Sequence, residues 1–570
     1  MKIPTPRTSP PARFLLLAGL AFIASHLLFG QPPAPAAGPA AAGRGPAGPA
    51  PTIVGDGRGG TVTIAPAGRG GRGGGRGGPA PVFQPTINLE TLTATRALTP
   101  EQLAQAKPLY DEIAAKQAEL SALNTALPGK LTALATEEQR LPVSLVVGTF
   151  NDQQHQMKVL GIKALRPGKS GSNQTGPGFD LATANPWKDS MPALMKMQDG
   201  TAITRAAQWP ARRAELVELF EREMYGRIPA AARTIKIDWQ VTAETKGTSA
   251  SGIPTITRTL VGTVDNSSYP ALTVALQASY TIPANATGPV PVMIGFGGGA
   301  NSGGGEQALL KGWGSGGLNP TSFQADGGAG LTSGIIGLIN KGQPRTGDQW
   351  GALRAWGWGL SRLVDYFEQH PETGVDASKI GITGVSRYGK AALVAQAFDE
   401  RVAVGLIGSS GAGGAKLNRH DFGEALENLT GGEYYWFCGN FMKYGAAEAT
   451  FGSKNAADLP IDAHQFIALC APRPCFISYG VEAAGDPKWV GAPGSYMAGI
   501  LASPAYELLG KKGYGVKPED YITAPMPAVG QLVGGELAWR QHEGGHTQVP
   551  NFPAFYEWIG TYIKAPAARK

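Results

Sequence analysis

The sequence predicts an α/β fold, in which helices cover both faces of a mostly parallel sheet. From about residue 210 the chain alternates segments typical of strands with segments typical of helices, which is the pattern of such a sheet. Residues 291–296 form a short apolar run before three glycines, as a buried strand does, and residues 350–369 have the composition of a helix. Residues 379–393 then combine an apolar strand, a serine between glycines and an alanine-rich helical run.

The first 82 residues cannot form a hydrophobic core. Three basic residues precede an apolar run from residue 14 to 29, which predicts a signal peptide over residues 1–30, with a retained membrane anchor as the alternative. Residues 31–82 are almost wholly Gly, Pro and Ala with isolated Arg, and they predict a disordered linker. Binding of RNA by the Arg-Gly-Gly repeats is the alternative for this linker.

The charge of the chain is concentrated in the same region. Residues 1–82 contain eight Lys or Arg and one acidic residue, so they account for the whole formal charge of +7. The rest of the chain has no basic excess that would indicate a nucleic acid or an anionic membrane as a partner.

Residues 83–150 predict a helical segment. Thr99, Pro100 and Gln102 match the start of a helix, with a cap, a proline in the first turn and a capping-box partner. Apolar residues then recur at spacings of three and four, which indicates one or two amphipathic helices, with Pro108 bending the first. We expect a spacer or a helical hairpin packed on the following domain, and a binding module is the alternative.

The cysteines indicate no dense disulfide framework. Cys438, Cys470 and Cys475 allow at most one disulfide within the chain. No Cys-x-x-Cys spacing occurs.

Ser386 is the candidate nucleophile. It follows an apolar strand and precedes a helix, a setting that exposes a serine and offers backbone N–H groups for an oxyanion. Gly384 and Gly389 would let the strand and the helix approach closely. The spacing is Gly-x-Ser-x-x-Gly, one residue longer than the usual elbow, so an ordinary turn at a strand end is the alternative.

A nucleophilic serine requires a histidine base, which in turn requires a carboxylate to orient it. In the chain order of nucleophile, acid and base, the histidine comes last, which leaves His542 and His546. His546 follows two glycines, just before a predicted terminal helix over residues 552–563, and we prefer it. His542 is then a surface histidine or one that supports the site.

The segment Gly384-Val385-Ser386-Arg387-Tyr388-Gly389-Lys390 resembles the Gly-Cys-Ser-Arg-x-Gly-Lys signature of the glucuronoyl methylesterases, carbohydrate esterase family fifteen. Further markers of that family recur in order between residues 176 and 565: Asp199-Gly200, Trp209, Arg212-Arg213, Glu215, Tyr225-Gly226-Arg227, Ser410-Gly411-Ala412-Gly413-Gly414, Ala471-Pro472-Arg473-Pro474, Trp489 and Gly544-Gly545-His546. The resemblance implies an α/β-hydrolase esterase domain over residues 176–565 that needs no metal or organic cofactor. The family's common cysteine before the nucleophile, which forms a disulfide in some members, is Val385 here.

The acid of the triad is less clearly marked than the serine and the histidine. Many relatives carry a Glu in the motif Glu-Ser-Gly-x-Gly-Gly, and here Ser409 stands at that position. Some bacterial relatives carry the acid after a later strand, which residues 474–479 predict here. We therefore expect Asp486 as the acid, with Glu482 in reserve, although relatives often place the acid two residues before the tryptophan and Asp486 lies three before Trp489. A surface carboxylate is the alternative for either.

The resemblance also implies roles for residues that contact the substrate. Arg387 would support the oxyanion, Lys390 and Glu424 would contact hydroxyls of a sugar acid, and Trp489 would contact the sugar ring. A salt bridge between Lys390 and Glu424, and a packed loop aromatic for Trp489, are the alternatives.

The function that the resemblance implies is hydrolysis of esters of 4-O-methyl-glucuronic acid, as in ester links between lignin alcohols and xylan in lignocellulose. Ser386 would form an acyl-enzyme, and water would release the acid. The alternatives are a carbohydrate acetyl esterase with the same triad, and a non-catalytic protein that binds uronates. We expect a secreted or periplasmic bacterial monomer whose partner is a xylan ester and not nucleic acid, with no membrane insertion after removal of the signal.

Overall fold

The computed structural model describes residues 99–146 and 148–568. The predicted signal peptide and linker, and the first part of the predicted helical segment, lie outside the described residues. The α-helices are α1 (Pro100–Leu134), α2 (Glu137–Val146), α3 (Asp152–Leu160), α4 (Trp209–Phe220), α5 (Ala230–Thr234), α6 (Glu306–Leu310), α7 (Gly334–Ile339), α8 (Ala352–Gln369), α9 (Arg387–Phe398), α10 (Leu426–Thr430), α11 (Ala463–Ala468), α12 (Ala492–Leu508) and α13 (Phe552–Ile559). The strands are β1 (Ile162–Leu165), β2 (Ile237–Thr248), β3 (Pro254–Val264), β4 (Ala275–Pro283), β5 (Val290–Phe296), β6 (Gly314–Asn319), β7 (Val375–Val385), β8 (Val402–Gly408), β9 (Ala446–Ala449), β10 (Cys475–Tyr479), β11 (Leu532–Gly534) and β12 (Leu537–Gln541).

A ten-stranded sheet lies at the centre, in the order β11-β12-β10-β8-β7-β5-β6-β4-β3-β2. Neighbouring strands are parallel from β12 through β10, β8, β7 and β5 to β6. They are antiparallel at the two ends of the sheet. The prediction of a mostly parallel sheet is confirmed, and every strand that carries a predicted catalytic residue at its carboxyl end is in the parallel part.

The predicted alternation of strand and helix from about residue 210 is wrong for the first strands of the sheet. Strands β2, β3 and β4 follow one another directly and pair antiparallel. The connections between them are too short for the crossover of a dozen or more residues that parallel neighbours require. Strand and helix alternate only from β5 onward.

Helices cover both faces of the sheet, as predicted. On β10, Phe476 points to one face and packs against Phe555 and Trp558 of α13. Its neighbour Ile477 points to the other face and belongs to the large core that α8, α9 and α12 share. Because successive side chains of a strand alternate between faces, each strand contributes to both cores.

The predicted elements around the site lie close to their predicted bounds. All residues of β5 are buried, as its apolar run predicts. Helix α8 begins two residues later than predicted, and α13 ends four residues earlier. Cys438, Cys470 and Cys475 are buried free thiols, so no disulfide joins them.

The described part of the predicted helical segment contains α1 and α2. Thr99 accepts a hydrogen bond from the backbone N–H of Gln102 and completes the predicted capping box. Helix α1 continues through Pro108 and Pro128, and none of its residues is buried. It therefore adds nothing to the core around the ten-stranded sheet. Within residues 99–146 and 148–568, no helix is long and apolar enough to cross a bilayer.

The α/β fold includes residues that precede the predicted domain start at residue 176. Asp152 at the start of α3 forms a buried ion pair with Arg345 at 3.1 Å. Strand β1 pairs with β9 in a separate two-stranded sheet. We therefore propose that the domain begins near residue 151.

Candidate active site

Ser386 occupies a strained turn between β7 and α9. Its backbone has φ 62° and ψ −129°, a region that side-chain-bearing residues rarely adopt, and it stands just before the first residue of α9 without a side-chain cap hydrogen bond. Its N–H donates to the carbonyl of Gly408 at 3.0 Å. Such strain is typical of functional serines at strand-to-helix turns, because it projects the hydroxyl above the edge of the sheet.

The two glycines allow the close approach that their positions predict. A Cβ on Gly384 would lie 2.3 Å from the carbonyl oxygen of Tyr388, and a Cβ on Gly389 would lie 2.3 Å from that of Gly408. Neither position accepts a side chain without movement of the backbone. The glycine that comes one residue late therefore lets the first turn of α9 contact the end of β8.

The loops after β10 and β12 bring Asp486 and His546 together. His546 Nδ1 lies 2.7 Å from Asp486 Oδ1. The other carboxylate oxygen, Oδ2, accepts hydrogen bonds from Gly480 N at 2.7 Å and from Ser409 Oγ at 2.8 Å. Asp486 is 3% exposed, so this buried carboxylate is fully hydrogen-bonded and can hold the imidazole in one tautomer and orientation.

The reserve acid lies elsewhere. Glu482 is exposed and lies 3.8 Å from the ammonium of Lys488. A short 3₁₀ turn, Glu482–Ala484, and Gly485 in the left-handed region reverse the chain, so that Asp486 N donates to Val481 O at 3.1 Å. The reversal directs Asp486 inward and leaves Glu482 in solvent.

Ser409, at the position where many relatives carry the acid, remains part of the same network. It is completely buried, and its hydroxyl donates to Asp486. A serine there orients the acid instead of replacing it.

His542 supports the loop that carries His546. It is completely buried; its Nδ1 accepts from Gly544 N at 3.0 Å, and its Nε2 lies 2.7 Å from the carbonyl oxygen of Thr547. Burial lowers the pKa of His542, so the neutral ring is favoured. Both ring nitrogens are used, which leaves neither for a metal ion, although the spacing of His542 and His546 suits one. Among the described residues, no group of three or more His, Cys, Asp or Glu could hold a metal ion.

The structure joins the predicted base to the predicted acid, but it does not join the predicted nucleophile to the base. Ser386 Oγ forms no hydrogen bond with any of the described residues, although His546 lies on a loop that reaches the elbow. Gln548, two residues after His546, shows how near this loop comes. A Cβ added to Gly408 would lie 3.1 Å from Gln548 Oε1, and the carbonyl of Gly408 accepts the hydrogen bond of Ser386 N. Catalytic hydrogen bonds are often long without substrate and tighten when it binds.

Arg387, directly after the serine, is held by two side chains from other segments. Its guanidinium forms an ion pair with Asp326 and lies over the ring of Trp436, 5.7 Å from the ring centre. Burial lowers the pKa of Arg387, but the hydrogen bond and charge of Asp326 outweigh this effect, so the pKa is raised overall. Its backbone N–H lies in the first turn of α9, where helices leave N–H groups without intrahelical acceptors.

Lys390 and Glu424 form a buried ion pair, which was the alternative reading of these residues. The ammonium lies 2.7 Å from Glu424 Oε2, and the side chains are 3% and 4% exposed. Lys390 also donates to the carbonyl of Ser410 at 2.8 Å. Besides these contacts, an ammonium has a third N–H donor and a carboxylate has further lone pairs.

Trp489 is joined to the Glu424 loop. Glu424 N donates to the carbonyl of Trp489 at 2.9 Å, and Trp489 N donates to Gln174 Oε1 at 3.1 Å. Gly171 lies against the partly buried indole ring of Trp489. A Cβ added to Gly171 would lie 3.6 Å from that ring. The structure thus brings the predicted sugar-contacting residues of two loops together.

The sequence did not point to three residues around this cluster. Asp326 and Trp436 contact Arg387. Burial, and next the charge of Glu424, raise the pKa of Glu433 to about 8. None of the three belongs to a motif in the sequence, and only the aromatic run around Trp436 is unusual enough to serve as a signal.

Comparison with known families gives one consistent result. A family profile described as "Glucuronyl esterase, fungi" matches residues 268–510. The chain is 30% identical over 416 residues to "Carbohydrate esterase MZ0003" from an unknown prokaryotic organism, covering 65% of this chain and 88% of that protein. It is 28% identical over 355 residues to a 4-O-methyl-glucuronoyl methylesterase of Hypocrea jecorina, covering 59% and 67%.

Solved structures agree with these relatives. A CE15 glucuronoyl esterase from Teredinibacter turnerae is 39% identical and superposes with a TM-score of 0.65, covering 72% of this chain and 98% of that one. A glucuronoyl esterase from Solibacter usitatus is 29% identical with a TM-score of 0.55, covering 65% and 96%.

Proposed function

The chain belongs to the glucuronoyl esterases of carbohydrate esterase family 15, and we propose that it hydrolyses esters of glucuronic acid and its 4-O-methyl derivative. The observation that carries this proposal is the hydrogen bond of His546 to buried Asp486, beside the strained turn of Ser386. The buried pair of Lys390 and Glu424 lies on the helix and loop next to that turn and offers polar contacts for a sugar acid.

The proposed reaction is a two-step acyl transfer. His546 takes the proton of the Ser386 hydroxyl, and the oxygen attacks the ester carbonyl at C6 of the uronate. Asp486 stabilises the imidazolium that results. The bond to the alcohol then breaks, and the leaving oxygen takes the proton from His546. A water molecule repeats the sequence on the acyl-enzyme and releases the free acid.

The negative oxygen of each tetrahedral intermediate requires preorganised donors. The backbone N–H of Arg387 and its guanidinium supply them in this proposal, because both lie directly after the nucleophile. Removal of one such donor costs about 100- to 1000-fold in kcat in serine hydrolases.

In this proposal Lys390, Glu424 and Trp489 bind the substrate. Lys390 and Glu424 contact sugar hydroxyls through the donors and lone pairs that their own ion pair leaves free. Trp489 presents an apolar ring face to the sugar. No metal or organic cofactor enters the proposed steps.

The partner and the location follow from the same proposal. We propose that the substrate is a uronate ester on xylan, as in links between lignin and carbohydrate, and that the protein acts as an exported monomer. Neither nucleic acid nor membrane insertion after signal removal is part of its function. The residues after position 82 carry no net formal charge, so they offer no overall attraction for a strong polyanion such as a nucleic acid.

The test is hydrolysis of benzyl glucuronate by the purified full chain, beside the Ser386→Ala variant and beside an acetylated xylan. We expect turnover of the uronate ester that the variant loses, with little release of acetate. Preferential release of acetate would move the activity to the acetyl esterases. Binding of glucuronate without turnover of either ester would instead indicate a non-catalytic relative.

A further inference from the structure

A carboxylate outside the proposed triad lies against the residue that follows the nucleophile. Asp326 Oδ2 accepts a hydrogen bond from Arg387 Nη1, and Asp326 Oδ1 accepts one from Trp436 Nε1 at 2.8 Å. Asp326 lies in the loop after β6, and its side chain is 17% exposed. Both carboxylate oxygens are therefore engaged, one by the first residue of α9 and the other by a short 3₁₀ turn after α10.

Trp436 contacts the same guanidinium. The central carbon of the Arg387 guanidinium lies 5.7 Å from the centre of the indole ring, and the Lys390 ammonium lies 5.4 Å from the same centre. Trp436 is 4% exposed, and its N–H bond to Asp326 fixes the plane of the ring. An indole face attracts cations, most strongly where water is excluded.

Arg387 requires such support if it is to act on the reaction. Its side chain is 47% exposed, and a free arginine of that exposure would lose substantial rotamer entropy on adopting one position. Donors stabilise an oxyanion best when they are already in place before the charge develops. The guanidinium has five N–H donors, so an ion pair with Asp326 leaves others for the substrate.

We propose that Asp326 is a positioning residue of the esterase reaction: its ion pair with Arg387 holds the guanidinium where the remaining donors meet the oxyanion. The inference rests on the proposed function, since it assigns Asp326 no reaction of its own. Loss of Asp326 should therefore lower kcat, because the oxyanion exists only after the serine has attacked.

The competing explanation is a structural one. Asp326 connects the loop after β6 to Trp436, so its removal could loosen the site without any special link to Arg387. A loosened site would lose activity whether or not Arg387 is present. A double-mutant cycle separates the two explanations, because only a residue that acts through Arg387 loses its effect when Arg387 is absent.

The experiment uses the full chain and benzyl glucuronate, with kcat, KM and the thermal midpoint measured for each variant. The variants are Asp326→Asn, Arg387→Ala and their double variant. Trp436→Phe, alone and combined with Arg387→Ala, is an independent way to loosen Asp326. Asp189→Asn is the matched control, because that side chain is 90% exposed and, among the described residues, forms an ion pair only with Lys188.

We expect Arg387→Ala to lower kcat by about 100-fold, as loss of an oxyanion donor does. Asp326→Asn should lower kcat by about 10- to 100-fold through misplacement, with KM nearly unchanged. The double variant should match Arg387→Ala alone. Trp436→Phe should give a smaller loss that also vanishes without Arg387, and Asp189→Asn should match the parent.

Three results would overturn the inference while the esterase itself stands. These are a parent-like kcat in Asp326→Asn, a loss that is equally large with and without Arg387, and a parent-like kcat in Arg387→Ala. A parent chain that does not hydrolyse the ester at all would overturn the proposed function and the inference together.

Discussion

The two halves of the site use charge in different ways. In the catalytic half, Asp486 is hydrogen-bonded to His546 at 2.7 Å, so that acid and base are already joined. In the binding half, Lys390 and Glu424 are buried and paired with each other at 2.7 Å. In the proposed mechanism the first pair serves the movement of a proton, whereas the second pair binds the sugar through the donors and acceptors that its own contacts leave free.

This difference predicts that the two halves act on different kinetic constants, kcat and KM. Interactions made only in the transition state act on kcat, whereas contacts made equally to bound substrate and transition state act on KM. We therefore expect changes in the catalytic half to lower kcat and changes in the binding half to raise KM. A single residue that crossed this division would break the comparison.

The largest effect is expected for Ser386→Ala, which removes the nucleophile. We expect kcat for benzyl glucuronate to fall by about 10⁴-fold or more, since the covalent step is lost. Glucuronate binding, measured by calorimetry, should stay close to that of the parent because the binding half is intact. Retention of substantial turnover in this variant would show that another group attacks the ester.

The next effect distinguishes the two candidate acids. Asp486→Asn should lower kcat by about 10⁴-fold, because an amide in contact with His546 Nδ1 favours the wrong tautomer. Glu482→Gln is the matched control on the same loop, and its exposed side chain should leave kcat unchanged. The assignment of the acid is wrong if the two variants exchange these results.

A smaller effect, on KM, is expected for Glu424→Gln. The change removes one charge of a buried pair and one acceptor for the sugar, so KM should rise by about 10- to 100-fold and the thermal midpoint should fall. Glu448→Gln is the control, because Glu448 pairs with Lys163 on the surface and both side chains are more than half exposed. It should change neither KM nor the thermal midpoint. A loss of kcat at unchanged KM in Glu424→Gln would place Glu424 in the catalytic half.

The smallest effect is a pH dependence of KM. Burial and the charge of Glu424 raise the pKa of Glu433 to about 8, so Glu433 is neutral below that pH and becomes a second negative charge above it. This second charge would compete with Glu424 for the Lys390 ammonium and disturb the proposed sugar contacts. We therefore expect KM to rise above pH 8 in the parent, after subtraction of spontaneous hydrolysis, and to stay level in Glu433→Gln. Parallel KM profiles for the two proteins would show that Glu433 does not act on the binding half.

Much of the site follows from local sequence patterns. The apolar run of β7, the glycines around Ser386 and the helical run after it predict the elbow, because each is a local preference that the tertiary fold preserves. The order of nucleophile and histidine along the chain likewise points to the loop of His546. These elements agree at several levels, which is why they could be predicted.

Other features depend on geometry that no local pattern encodes. The three-residue spacing of Asp486 from Trp489 departs from relatives, and only the short turn after Val481 shows why this carboxylate faces inward. Asp326 lies about 60 residues before Arg387, so their contact exists only in the fold. The antiparallel start of the sheet is different, because connections this short cannot hold a crossover helix and so do indicate antiparallel neighbours.

The most direct test of the account is covalent trapping of the nucleophile. The full chain is treated with a serine-directed alkyl phosphonate, and the labelled peptide is identified by mass spectrometry, beside the Asp486→Asn variant. The account predicts one label, on Ser386, that forms much more slowly in the variant because His546 is no longer oriented as a base. A label on another residue, or no label in a chain that hydrolyses the uronate ester, would contradict it.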